Sequence, residues 1–255
     1  MAGIIDLVGN TPLVEIKKLN PTPGFKIYAK LEGNNPGGSV KDRAALNMIR
    51  SALERGDISK GSRLIEATSG NTGIALAMIA CLYDLEIELV MPSNSTRERT
   101  LTMEAFGAKV TLLDGIELCR DYAEEKAGRG ESFLLNQFAN SDNSLAHYKS
   151  TGPELWKDTG QKITHFVSSM GTTGTIMGCS RYLKEKNPEI QIIGCQPTDD
   201  SSIPGIRRWP IEYLPKIFEP ERVDRIMDIS EAEATEMSRK LAKVEGIFAG
   251  MSSGG

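Results

Sequence analysis

Lys41 is the residue whose position most demands a chemical explanation. It lies near the end of the run Gly33-Asn34-Asn35-Pro36-Gly37-Gly38-Ser39-Val40-Lys41-Asp42-Arg43, between a short apolar strand and a helix expected from about Asp42 to Glu54. Asn, Pro and Gly build an irregular turn there. Lysines stabilise helix C-termini; at a helix mouth, near Arg43, the positive end of the macrodipole favours the neutral amine instead. A lysine with a lowered pKa can form a Schiff base with a carbonyl compound. A solvated lysine after a tight turn is the other reading, and this stretch alone leaves both open.

Three further glycine-rich loops follow predicted strands, where open α/β sheets place their ligands. Thr68-Ser69-Gly70-Asn71-Thr72-Gly73 opens a helix with hydroxyls, an amide and free backbone N–H groups, which suits a carboxylate. Gly171-Thr172-Thr173-Gly174-Thr175 also opens a helix, and its hydroxyls and N–H donors suit a phosphate. The third is Met251-Ser252-Ser253-Gly254-Gly255. The absence of a Walker lysine and of a full GxGxxG argues against a nucleoside triphosphate or a dinucleotide. Each loop alone is weak, because such turns occur throughout α/β folds. Together with a helix-mouth lysine they suit an amino acid joined to a phosphorylated aldehyde. Pyridoxal phosphate fits that description, its ring serving as an electron sink.

Composition narrows the classes. With 255 residues the chain can bury a large core, and a formal net charge of -4 offers no basic patch for nucleic acid. No apolar run reaches membrane-spanning length and the N-terminus carries no export signal, so a cytoplasmic protein without membrane contact is expected. Cys81, Cys119, Cys179 and Cys195 show no CxxC spacing and read as four buried thiols in a reducing compartment. With His147 and His165 the only histidines, no metal centre is expected.

The elements that must position these loops alternate in type. Strands are expected over 11–16, 26–31, 64–67, 86–91, 109–113, 132–135, 164–168 and 190–195. Helices are expected over 42–54, 71–82, 97–106, 116–127, 173–186 and from Ser230, whose capping box is completed by Glu233. A helix over 144–158 is expected to be interrupted at Gly152-Pro153, and 201–220 reads as irregular. This alternation predicts an α/β protein with mainly parallel, doubly wound sheets. The chain stops in a glycine-rich loop of the kind that leads into a helix, which reads as a cut within a βα unit.

The lysine loop, the Thr68–Gly73 loop and the Gly171–Thr175 loop resemble, in order and spacing, the lysine, substrate and phosphate loops of the β-family (fold type II) of pyridoxal-phosphate enzymes. Within it they are most similar to the O-acetylserine sulfhydrylases, or cysteine synthases. Glu32-Gly33-Asn34-Asn35, Gln137-Phe138, Ala146-His147-Tyr148, Ser201 to Pro210 and Gly250 to Gly255 resemble the B type. The stretch Asp114-Gly115-Ile116 is shorter than is usual there, and the family continues past Gly255 into another helix and strand.

The resemblance implies two α/β domains with the cofactor in the cleft between them: a smaller one of residues 35–145 and a larger one of 1–34 plus 146–255. It implies that Lys41 is catalytic and carries the cofactor, with Asn71 at the ring's 3′ oxygen, Gly171, Thr172, Thr173, Gly174 and Thr175 around the phosphate, and Ser252 or Ser253 at the pyridine nitrogen. Thr68, Ser69, Gly70, Asn71, Thr72 and Gln137 would bind the substrate carboxylate, and Arg207 and Arg208 would draw in an anion. The reaction implied is β-replacement of O-acetyl-L-serine through an aminoacrylate, by sulfide to L-cysteine or by thiosulfate to S-sulfocysteine, in a homodimer. A cystathionine β-synthase or a serine/threonine dehydratase would share the lysine and phosphate loops. A catalytically silent partner protein would share the scaffold, but gives no reason to keep Lys41.

Overall fold

A computed structural model describes residues 3–68 and 70–255. In chain order the strands are β1 (Leu13–Ile16), β2 (Ile27–Lys30), β3 (Arg63–Ala67), β4 (Glu86–Pro92), β5 (Lys109–Leu113), β6 (Phe133–Leu134), β7 (His165–Ser169), β8 (Gln191–Pro197) and β9 (Arg225–Ile229). The helices are α1 (Lys41–Arg55), α2 (Asn71–Leu82), α3 (Arg97–Ala105), α4 (Ile116–Gly128), α5 (Ser141–Lys149), α6 (Thr151–Asp158), α7 (Gly174–Lys186) and α8 (Glu231–Lys240). They fall into two compact units.

The first unit comprises Met1–Gly9 and Asn34–Ala146. Its sheet runs β5-β4-β3-β6 with every neighbouring pair parallel. Parallel strands covered on both faces read as near-continuous apolar runs, and β4 is buried from Ile87 to Pro92. α1 and α2 pack together, and Ala45, Met48, Ile49 and Ala52 of the one share a buried cluster with Ala75, Leu76 and Ile79 of the other. The small residues of α2 permit that approach. At Gly73 a Cβ would lie 2.8 Å from Thr68 Cγ2 and 2.6 Å from Met103 Cε, so the first turn of α2 is seated where no side chain fits. α1 ends at Gly56, whose φ of 77° is the left-handed cap that glycine adopts without penalty.

The second unit comprises Asn10–Gly33 and His147–Gly255. It holds the antiparallel pair β1-β2 and a parallel sheet of order β7-β8-β9. Its core joins Leu155 of α6, Phe166 of β7, Ile176, Met177 and Leu183 of α7 and Ile192 of β8. Lys30 ties β2 to α6, its Nζ lying 2.8 Å from Glu154 and 3.2 Å from Asp158.

The mainly parallel α/β class is as expected from the alternation, with three departures. The expected 144–158 helix breaks at Ser150, ahead of Gly152-Pro153. Pro153 then falls in the first turn of α6, where its missing N–H has no intrahelical partner to lose. β9 lay outside the expected strands: its residues from Arg225 to Asp228 are exposed, two of them charged, and among the described residues it is the edge strand of its sheet, paired with β8. Cys81, in the last turn of α2, is exposed, whereas Cys119, Cys179 and Cys195 are buried free thiols. Among the described residues, no helix is long and apolar enough to cross a membrane, and no group of His, Cys, Asp and Glu could hold a metal ion.

The expected capping box is present: Glu233 N–H donates to Ser230 Oγ at 3.2 Å, and Ser230 N–H donates to Glu233 Oε2 at 2.9 Å. Ser230→Ala should therefore lower stability by about 1 kcal/mol in urea unfolding, with an unchanged m-value.

Candidate active site

Lys41 is the first residue of α1, one residue earlier than the sequence pattern placed the helix start. The turn before it is held from within its own unit. Gly9 N–H donates to Asn35 Oδ1 at 2.8 Å, Gly38 N–H to the Asn35 carbonyl at 2.8 Å, and Lys41 N–H to Ser39 Oγ at 3.2 Å. Asp42 is fully buried, and its Oδ2 accepts the Gly37 N–H at 2.5 Å. A Cβ at Gly37 would lie 2.6 Å from the Asp42 carboxylate, so the turn is pulled down onto the first turn of α1. Lys41 is half-buried overall, yet burial of its amine lowers its pKa from the ordinary lysine value. The cause is desolvation, which disfavours the charged form, where the sequence argument had invoked the helix dipole.

The expected carboxylate loop lies at the end of β3. Thr68 and Thr72 are buried and Asn71 is exposed at the first position of α2. Gly70 N–H donates to Thr68 Oγ1 at 3.3 Å. Ser69 lies outside the described residues. Gln137 joins this group: Thr72 Oγ1 donates to Gln137 Oε1 at 2.9 Å, and Gln137 Nε2 donates to the Ala67 carbonyl at 3.1 Å.

Beneath this loop sits a group that the sequence reading passed over. Glu66 is the one charged residue in the buried part of β3, at 1% exposure. Its Oε2 accepts the Asn136 N–H at 2.8 Å and its Oε1 accepts the Gln137 N–H at 3.0 Å. Burial pushes its pKa up to about 7, against those hydrogen bonds and the charge of Arg120. The available signal was a lone carboxylate inside an apolar strand that leads directly into a ligand loop.

In the second unit, the loop after β7 forms a cradle. Thr173 takes a left-handed φ of 67° at the start of α7, and its side chain caps no N–H. Its Oγ1 is buried without a hydrogen-bond partner, an exception that asks for a ligand. Gly174 N–H meets Thr172 Oγ1 at 3.5 Å, and Thr175 Oγ1 lies 3.3 Å from Nε2 of the buried His147. A Cβ at Gly171 would lie 2.7 Å from the Gly205 carbonyl oxygen, so the loop is pressed against the segment around Gly205. Trp209 Nε1 donates to the Gly171 carbonyl at 2.7 Å, and Arg207 N–H to that of Met170 at 2.8 Å. Ser169 Oγ donates to the Ser252 carbonyl at 2.7 Å, which brings the Ser252-Ser253 turn beside the cradle. A buried, unsatisfied hydroxyl at a helix N-terminus fits a phosphate.

Arg207 and Arg208 part company. The Arg207 guanidinium lies 5.6 Å from the centre of the Trp209 ring. Arg208 contacts Asp228 at 2.6 Å and Asp199 at 3.1 Å, and donates to the Pro197 carbonyl at 2.9 Å. Two carboxylates already neutralise Arg208, so it braces β8 against β9 and is not poised to draw in an anion.

A parallel α/β scaffold with a desolvated lysine at a helix mouth, a hydroxyl-lined loop and an anion cradle defines a class of protein that handles a phosphorylated aldehyde. Residues 4–255 match the family of pyridoxal-phosphate dependent enzymes, and the chain belongs to that family. It is 58% identical to cysteine synthase B of Pseudomonas aeruginosa, covering 99% of this chain and 85% of that protein. Cysteine synthase B of Escherichia coli is 55% identical, covering 100% of this chain and 85% of that protein. Among solved structures, a cysteine synthase from Entamoeba histolytica aligns with a TM-score of 0.93 and 36% identity, covering 100% of this chain and 80% of that one.

Glu66 gives the first unit a pH signature. Its ordinary value of 4.5 applies in the unfolded chain, so between pH 4.5 and about 7 the folded protein binds the extra proton. Stability therefore falls as pH rises through that window, by up to about 3 kcal/mol from this group. Urea unfolding at intervals across the window should show this decline in the wild type and its flattening in Glu66→Gln.

Proposed function

We propose that this protein makes L-cysteine from O-acetyl-L-serine and sulfide with pyridoxal phosphate as cofactor, as a cysteine synthase of the B type. The observation that carries this reading is the desolvated Lys41 amine at the head of α1, in a chain 58% identical to a cysteine synthase B. Bound pyridoxal phosphate supplies the electron sink that allows the α-proton and the acetoxy group to leave.

The chain's own residues supply the rest. Lys41 Nζ would hold the cofactor covalently; once the substrate's amino group displaces it, the freed Nζ would accept the proton from the substrate's α-carbon as a general base. An amine with a lowered pKa is free to do both near neutral pH. Gly171, Thr172, Thr173, Gly174 and Thr175 cradle the phosphate, with Thr173 Oγ1 gaining its missing partner. Asn71 serves the ring's 3′ oxygen, and Ser252 or Ser253 the pyridine nitrogen. Thr68, Ser69, Gly70, Asn71 and Thr72 bind the substrate carboxylate with help from Gln137. Arg207 attracts the anionic sulfur donor, and thiosulfate is accepted beside sulfide to give S-sulfocysteine. The same reading gives a cytoplasmic homodimer, closed two-fold symmetry being the commonest arrangement.

The visible spectrum tests this. The protein loaded with pyridoxal phosphate should absorb in the visible, change on adding O-acetylserine, and return when sulfide or thiosulfate is added. Lys41→Ala should bind the cofactor without turning over, and normal turnover in that variant would sink the assignment. Thr173→Val removes a hydroxyl that has no partner in the protein. It should leave the cofactor-free protein's stability within about 0.5 kcal/mol of wild type while weakening pyridoxal phosphate roughly tenfold in a fluorescence titration.

A further inference from the structure

We propose that Glu66 is a positioning residue for the substrate-carboxylate site, clamping the Asn136-Gln137 turn so that Gln137 holds Thr72 in register at the mouth of α2. The inference rests on the functional reading above, and every residue it uses lies in the first unit.

Asn136 has a φ of 55°, in the left-handed region that non-glycine residues enter at a cost. A strained turn persists only when its surroundings over-determine it, and here a buried carboxylate holds its two N–H groups while neighbouring residues hold its carbonyls. Each Glu66 oxygen accepts one of two successive backbone N–H groups, at 2.8 Å from Asn136 and 3.0 Å from Gln137. Asn143 Nδ2 closes the far side by donating to the Gln137 carbonyl at 2.8 Å.

With its backbone fixed, Gln137 has one orientation for its amide. Oε1 accepts the Thr72 hydroxyl at 2.9 Å, and one Nε2 hydrogen goes to the Ala67 carbonyl at 3.1 Å. An amide nitrogen carries two hydrogens, and the Gln137 side chain also bonds the Glu66 carboxylate, so Glu66 holds the side chain of this turn as well as its two N–H groups. The Thr72 hydroxyl spends its proton on Gln137, which leaves the Thr72 backbone N–H at the start of α2 to face an anion. Glu66 contacts neither ligand nor reacting atoms in this scheme; it acts through Gln137. Both oxygens accept together in the ionised carboxylate, the form that prevails above about pH 7, whereas a primary amide turns a hydrogen toward one of the N–H groups.

Glu66→Gln is the first test, on the pyridoxal-phosphate-loaded protein. The KM for O-acetylserine should rise roughly tenfold, the scale of one lost charge-assisted hydrogen bond, while kcat changes far less and cofactor loading stays at the wild-type level. Amide hydrogen exchange across residues 135–138 should quicken. In a Gln137→Ala background the same substitution should add little to KM, because the two act in series. If Glu66→Gln fails to fold, Glu66→Asp keeps the charge one methylene short of reaching both N–H groups and should raise KM alike. A wild-type KM in the folded variant, or effects of Glu66→Gln and Gln137→Ala that simply add, would overturn the positioning role. A wild-type protein that does not turn over O-acetylserine would overturn the functional reading and this inference with it.

Discussion

A parallel strand cannot be followed directly by its neighbour, and that constraint organises each unit. Every crossover must return the chain to the same edge of the sheet, which is why β3 is followed by α2 and β7 by α7. The turns at the carboxyl ends of the strands therefore gather helix N-termini, each with N–H groups that no intrahelical carbonyl can satisfy. In the first unit, that edge receives the hydroxyls of Thr68 and Thr72; in the second, those of Thr172, Thr173 and Thr175. The glycines among them let backbone approach backbone, as where Gly171 meets Gly205.

Two buried carboxylates on neighbouring strands show how the scaffold separates framework from function. Glu88 on β4 offsets its burial with two cations and a donor: Lys126 at 2.8 Å, Lys109 at 3.3 Å and the hydrogen-bonding Thr111 hydroxyl hold its pKa down to about 2. Glu66 on β3 is met chiefly by backbone N–H groups, and burial prevails. The first is a permanent charge that fastens α4 and β5 to the sheet. The second spends its charge on shaping one turn, at a cost to stability, which is the balance expected where geometry matters to a ligand.

The sheets and their order of helices were legible because apolar runs and glycine punctuation are local properties. α2 was bounded correctly from its small-residue pattern alone, and Ser230 with Glu233 announced α8. β9 was not legible, since its exposed Arg225 and Asp228 carry none of the alternation that marks a half-buried strand. The loops around Lys41, Asn71 and Thr173 were found by their residue types, as chemistry requires. Glu66 and Asp42 were not, because a buried carboxylate is recognised by what surrounds it in space. The same blindness made Arg208 look available: its neighbours Asp199 and Asp228 are separated from each other by most of an irregular segment and a strand.

The hydrogen bond from Trp209 to the Gly171 carbonyl has an optical consequence. The chain has only two tryptophans, and the other, Trp156, packs against the apolar core of the second unit. The indole of Trp209 is wired to the first residue of the Gly171–Thr175 loop, so its dipole senses whatever polarises that peptide. Nature has in effect placed a fluorophore at the lip of this cradle. With Trp156 replaced by phenylalanine, emission from a single residue would report the electrostatic state of the loop in real time, with no dye and no coupled assay.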